Sequence, residues 1–135
     1  MSHWPNHKAF AAWAKVCPGN NESAGKRRSS SIGHGNQSLR GALVEAAQSA
    51  VRVKKSYFAA LYHRVKARRG GKRAIIAVAH AILVAIYHML KDGTAYGDLG
   101  ADYFEHLDRE AIVKRSIRRL EHLGYQVTLQ EVVAA

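Results

Sequence analysis

Apolar residues recur at helical spacing in several stretches of the chain, separated by segments that keep no period. Behind Asn6, the residues Phe10, Trp13 and Cys17 fall at steps of three and four, which predicts a short amphipathic helix to about Val16 with Pro18-Gly19 as its stop. Leu39, Leu43, Ala46, Ala47, Ala50 and Val51 make a stripe behind Asn36. Tyr57, Phe58, Leu61, Tyr62 and Val65 make another behind Ser56, and a break near Lys54-Lys55 separates the two. Arg68-Arg69-Gly70-Gly71 then forms a basic turn. Ala74 to Leu90 is apolar apart from His80, Tyr87 and His88, and Asp92-Gly93 stops it. Tyr96 to Gly100 is a connector. In the last helical stretch Val113, Ile117 and Leu120 line one face and Lys114, Arg115, Arg118 and Arg119 the other. Tyr125 to Val133 alternates weakly and fits an edge strand or a tail. From Pro18 to Asn36 no periodicity survives, leaving a long functional loop or a short two-stranded excursion.

These elements predict an all-α fold, a compact helical domain of four to five helices around a buried central helix, with a long basic loop and a short C-terminal strand or tail. The expected division is residues 1–92, with the loop at 17–36 and helices over 37–92, followed by 93–135 with the connector, a C-terminal amphipathic helix and the tail. The run from Ala74 to Leu90 is close to the length that spans a bilayer. Its frequent alanines and two histidines, and the lack of a second such segment, favour a core helix and no membrane partner. With 135 residues the chain can bury one core, and 47% hydrophobic residues with two prolines exclude a disordered or collagen-like chain. The single cysteine, Cys17, excludes an internal disulfide, and no signal-peptide run follows Met1, so a reducing cytoplasm is expected.

Charge changes the picture more than composition does. The net charge is +11, and its excess is local: between Ala24 and Arg73 stand 13 basic residues and one acid, Glu45. Solvated helices normally interleave both signs, and this segment does not, which points to a polyanionic partner, nucleic acid before an anionic membrane surface. The candidate contacts are Lys26, Arg27, Arg28, Arg40, Lys54, Lys55, Arg68, Arg69, Lys72 and Arg73.

Motifs for other chemistry are missing. Gly25-Lys26 lacks the glycine spacing of a phosphate loop, and Arg27 stands where a serine or threonine would reach magnesium. His80 and His88 are eight residues apart, which does not make a metal face, and Asp98, Asp102, Glu105 and Asp108 have no metal-site spacing, so no metal is expected in this chain. What remains is Pro18 to Arg28, where Ser23 lies among small residues beside Lys26, Arg27 and Arg28. A serine attacking a phosphodiester needs cations to carry the charge of the pentacoordinate phosphorus and space for a backbone to approach. Residue chemistry alone favours the plainer reading, a flexible basic loop with incidental serines.

The run from Cys17 through Pro-Gly-Asn-Asn-Glu-Ser-Ala-Gly-Lys-Arg-Arg to Ser29 shifts that balance. With it go Gly35-Asn36, Leu39-Arg40, Arg73 to His80, His88-Met-Leu90, Asp92-Gly-Thr94 and Asp98 to Phe104. Together they resemble the C-terminal domain of the insertion sequence one-ten transposases, over nearly the whole chain from Trp4 to about Leu129. These are RNA-guided recombinases that pair an N-terminal DEDD domain with a serine-bearing domain. The resemblance implies that Ser23 is the nucleophile that joins to DNA, that the metal-binding carboxylates and their magnesium belong to the DEDD domain, which is absent here, and that the partners are DNA and a guide RNA in a bacterial cytoplasm, at the nucleoid.

The expected function is therefore DNA transposition, with this chain as a truncated, serine-bearing half of a composite site, inert alone and working with a second copy or a full-length transposase. The alternative is a non-catalytic nucleic-acid-binding remnant or regulator.

Overall fold

The structure is a computed structural model that describes residues 3–17, 21–29 and 35–133; the expected stop at Pro18-Gly19, the side chains of Ser23, Arg27 and Arg28, and the serines Ser30 and Ser31 lie outside what it describes. Among the described residues the order is α1 (His7–Ala14), β1 (Asn21–Ser23), β2 (Lys26–Ser29), α2 (Gln37–Ala50), α3 (Tyr57–Arg69), α4 (Gly71–Asp92), α5 (Tyr103–Leu107) and α6 (Arg109–His122). Two compact units result, residues 1–101 and 102–135.

Three helices of the first unit start where a side chain can take over an orphan backbone donor. Asn6 Oδ1 accepts from Ala9 N at 2.9 Å, Asn36 Oδ1 from Leu39 N at 3.1 Å, and Ser56 Oγ from Ala59 N at 3.2 Å. Ser56 is buried and its hydroxyl also donates to Val53 O at 2.8 Å, so both of its bonding capacities are used. Lys55, at φ 59°, turns the chain between α2 and α3. The break expected at Lys54-Lys55 is thus a left-handed turn residue followed by a serine cap.

Helix α4 is the packing centre, in contact with α1, α2 and α3. Ala74, Val78, Ala79, Leu83 and Tyr87 are its buried members. They meet Phe10, Ala11 and Ala14 of α1, Val16 just beyond it, and Leu43 and Ala47 of α2. Several of these contacts are alanines, and alanine at a helix contact lets backbones approach closely. Trp4 folds over the start of α1, its ring 4.8 Å from Phe10 and 5.2 Å from Trp13, and its carbonyl accepts from the Tyr87 hydroxyl at 3.2 Å. The largest buried side chain of α4 is therefore satisfied at its polar end.

Helix α4 begins three residues before the apolar run, because Gly71, Lys72 and Arg73 take up the first turn, and it ends at Gly93, whose φ of 67° is a left-handed cap. By length and composition it could cross a membrane; in the fold it is the helix on which the other three pack, though only 28% of its most apolar window is buried.

The second unit holds the one-turn helix α5, which sequence periodicity does not foresee, and α6. Val113 and Ile117 are half-buried and Leu120 is 42% exposed. Neither helix buries any residue fully. Asp102 accepts from His106 Nε2 at 2.8 Å, and that bond holds its carboxyl below the usual range. Residues 125–133 form no strand; they are a tail, tied by Arg109 to Glu131 at 3.4 Å.

Cys17 and His80 meet across the first unit, Sγ to Nδ1 at 3.5 Å. Burial pushes the thiol up; burial first, then the charge of His7, pushes the imidazole down. Both directions favour neutral forms, so this is a thiol-imidazole hydrogen bond and not an activated thiolate.

Two outcomes follow from this core. Leu83→Ala should lower the unfolding free energy by about 2–5 kcal/mol in a denaturant titration, whereas Leu90→Ala, at a position 65% exposed, should change it little. Because His80 titrates below its ordinary 6.5 in the folded chain, its contribution is intact above that value and is lost as pH falls through the window beneath it. His80→Gln should flatten the acid-side decline of thermal stability in that window; an unchanged slope would show that His80 does not carry it.

Candidate nucleic-acid interface

Strands β1 and β2 pair antiparallel, with Ser23 opposite Lys26, Glu22 opposite Arg27 and Asn21 opposite Ser29, and an irregularity between Asn21 and Glu22. The two-residue loop between them, Ala24-Gly25, has φ of 52° and 75°. Positive φ at both central positions is the type I′ turn that matches the twist of a hairpin. Of the alternatives left by the sequence, the region contains the short two-stranded excursion, and Ser23 is the last strand residue before its turn. Its backbone neighbour Ala24 is held in a conformation that alanine disfavours.

The far end of the loop is fastened at Gly35. A Cβ there would run into the Lys15 side chain, meeting its Cβ at 2.8 Å, with Trp13 O at 3.4 Å. Lys15 is itself the left-handed cap of α1. Close approach of Gly35 to Lys15 therefore brings residue 35 back to the end of α1, so the segment carrying the hairpin leaves and rejoins the helical body at nearly one point.

The basic residues foreseen from sequence do not form one cluster. Lys26 is exposed on β2. Arg40 is half-buried in the first turn of α2. Lys54 and Lys55 are exposed at the α2–α3 turn, while Arg68 and Arg69 end α3 and Lys72 and Arg73 open α4, all four exposed. Since α3 has 13 residues, its two basic ends stand about 20 Å apart.

Helix electrostatics distinguishes these cations from one another. Lys66, Arg68 and Arg69 lie in the last turn of α3, where the negative end of the helix dipole stabilises them. Asp98, on the connector, accepts from Tyr57 N at 2.9 Å at the positive end of the same helix, also the favourable sign. Lys72 and Arg73 are the reverse case. They occupy the first turn of α4, whose dipole repels them, with no acid in that turn and no side-chain cap at Gly70. Among the described residues no ion pair engages Lys54, Lys55, Arg68, Arg69, Lys72 or Arg73. A fold optimised for its own stability would place acids here; the arrangement instead raises positive potential at the α3–α4 turn.

Magnesium, implied by the family resemblance, has no fitting site among the described residues. No three His, Cys, Asp or Glu side chains converge. Asp98 Oδ1 already accepts from two backbone amides, Tyr57 N and Gly100 N at 2.8 Å, and Asp102 is paired with His106.

Sequence reasoning did not find the union of His7, His80 and His88 with Tyr57, Phe58 and Tyr96 around one pocket. These residues come from four separate segments, and no spacing rule joins them.

Residues 1–63 match the family described as Transposase IS116/IS110/IS902 family, a span that covers α1, the hairpin, α2 and the first half of α3. No curated protein and no solved structure matches the chain. The matched span holds Ser23, Lys26, Arg27, Arg28, Arg40, Lys54 and Lys55, while Arg68 to Arg73 lie beyond it. Residues 1–63, the position of the hairpin serine included, are thus similar to the IS116/IS110/IS902 transposase family.

Proposed function

We propose that the chain serves DNA transposition by holding nucleic acid on its two basic turns and presenting Ser23 at the tip of the hairpin as the nucleophile. The observation that carries the binding half is the set of unpaired cations at the α3–α4 turn, two of them placed against the dipole of α4. Phosphate oxygens would remove that mutual repulsion and would meet the uncapped amides at the start of the helix. Such contacts read backbone and not sequence, so a guide RNA competes for the same cations as DNA.

For Ser23, the support is the family match over its position and the turn that follows it. Lys26 opposite Ser23, with Arg27 and Arg28 after it, supplies positive charge on the same hairpin. The proton of the serine hydroxyl still needs an acceptor in any such attack. A full-length transposase, or another carboxylate-bearing domain, is the partner expected to complete the reaction. The second reading, a binding module that competes with such a transposase, shares the cations and differs only in the fate of Ser23.

Binding to duplex DNA should weaken linearly on a plot of log affinity against log salt, with a slope near −0.9 per phosphate neutralised. Reversing Arg68 and Arg69 to Glu should make that slope shallower by about one for each phosphate no longer held, and reversing Arg27 and Arg28 should also weaken binding. Reversing Arg118 and Arg119 in α6 should do neither. Equal weakening by all three pairs would place the interface elsewhere, and binding only to anionic vesicles would replace nucleic acid by membrane.

The catalytic half has its own test. In a reconstitution with an intact relative that itself forms a covalent protein-DNA adduct, this chain should form one that Ser23→Ala abolishes while binding changes less than about twofold. Alanine at Ser29, Ser30 or Ser31 should leave the adduct in place. No adduct from this chain under those conditions would select the competing-module reading.

A further inference from the structure

A pocket of about 510 Å³ opens between the start of α3, the C-terminal half of α4 and the connector that follows it. Three aromatic rings, Tyr57, Phe58 and Tyr96, and three imidazoles, His7, His80 and His88, line it together with small and apolar side chains of α4. No Asp, Glu, Lys or Arg is among its lining residues. Its volume falls in the ordinary range of small-molecule sites.

We infer that this pocket takes one unstacked nucleobase from the strand held on the basic turns. The inference rests on the nucleic-acid reading proposed above and adds to it a ligand class and a place.

The lining selects the ligand. Planar rings offer faces for stacking, and imidazole and phenol groups offer hydrogen-bond donors and acceptors along the same walls. The fitting ligand is thus flat, neutral and edged with donors and acceptors, as a nucleobase is. The Phe58 and Tyr96 rings already lie 5.6 Å apart and 10° from parallel, so one wall presents a stacked pair. His7 and His88 stand 5.6 Å apart across α1 and α4. His80 has Nδ1 engaged with Cys17, and Nε2 makes no hydrogen bond among the described residues. Burial keeps this imidazole uncharged, so it can meet a base edge as a neutral ring.

Chain geometry supplies the link to a strand. Lys54 and Lys55 precede Tyr57 by three and two residues, so their Cα atoms lie within about 10 Å of the Tyr57 Cα. Exposed cations thus flank the pocket wall along the chain, where a strand backbone can be held beside it. The wall is also fixed, because one Asp98 oxygen accepts both from Tyr57 N at the start of α3 and from Gly100 N in the connector. The connector that carries Tyr96 is thereby tied to the helix that carries Tyr57 and Phe58.

A free nucleoside carries the same ring, and the test separates the two sources. The whole chain is titrated into a single-stranded oligonucleotide carrying 2-aminopurine, into the same strand fully paired, and into adenosine alone. The expected result is quenching of 2-aminopurine in the unpaired strand and little change in the duplex, with adenosine binding far more weakly than the strand. Tyr96→Ala should weaken strand binding about tenfold and relieve the quenching, in keeping with the worth of one base stacked on an aromatic ring. Tyr96→Phe should restore both. His88→Ala, at an exposed position, should also relieve the quenching, and it serves if circular dichroism finds Tyr96→Ala unfolded. Strand binding with a normal salt slope but no quenching, or quenching untouched by the folded variants, overturns the inference and leaves the nucleic-acid reading standing. Adenosine binding as tightly as the strand overturns the strand as the source. No binding of any oligonucleotide overturns both readings.

Discussion

Everything in the first unit depends on how closely α1, α2 and α3 can approach α4. Ala11, Ala14, Ala47, Ala59, Ala74 and Ala79 are all buried, and they contribute little apolar area each. What they give is proximity, which lets the larger side chains Phe10, Val16, Leu43, Val78, Leu83 and Tyr87 fill one continuous core. A core of this kind is sensitive to volume, because there is little slack between the backbones to absorb a larger side chain. It also explains why α4, though apolar almost throughout, has a minority of its surface buried: slender neighbours leave its remaining faces to the connector, the pocket and solvent.

The charges follow a second rule, and the two rules divide the residues between them. Where a charge serves the fold it has the sign its helix end prefers, as with Asp98 at the start of α3 and Lys66, Arg68 and Arg69 at its end. Lys72 and Arg73 break that rule at the first turn of the longest helix. Residues that work against local stability are best explained by something outside the fold. Ala24, kept in a left-handed conformation beside Ser23, is a backbone counterpart of the same departure, and it too falls on the segment matched to the transposase family.

Much of this was legible in the sequence where the physics is local. Asn6, Asn36 and Ser56 announce helix starts because a short polar side chain before an apolar stripe has one obvious backbone donor to satisfy, and Gly93 announces a stop for the reason that only glycine enters the left-handed cap freely. The one-turn helix α5 was not legible, since five residues cannot display a period. The hairpin was open between loop and strands, because Asn21 to Ser29 carries no alternation of apolar and polar residues, while the strands pair in the register Ser23 to Lys26 and Glu22 to Arg27. The cations were legible as a list. The separation of Lys54 and Lys55 from Arg68, Arg69, Lys72 and Arg73 by the length of α3 was not, as it depends on the extent of that helix. Least legible were the encounters between distant segments: Cys17 with His80, Tyr87 with the Trp4 carbonyl, and the rings that surround the pocket.

The single carboxylate of Asp98 makes the connector part of the helical body. Without its two bonds, residues 93–101 would be an ordinary surface strand of chain, free to open segment by segment. With them, the amide of Tyr57 and the amide of Gly100 share one acceptor and are protected by the same event. Amide exchange at these two positions, 43 residues apart in sequence, should therefore be coupled, since loss of the one carboxylate releases the first turn of α3 and the end of the first unit together.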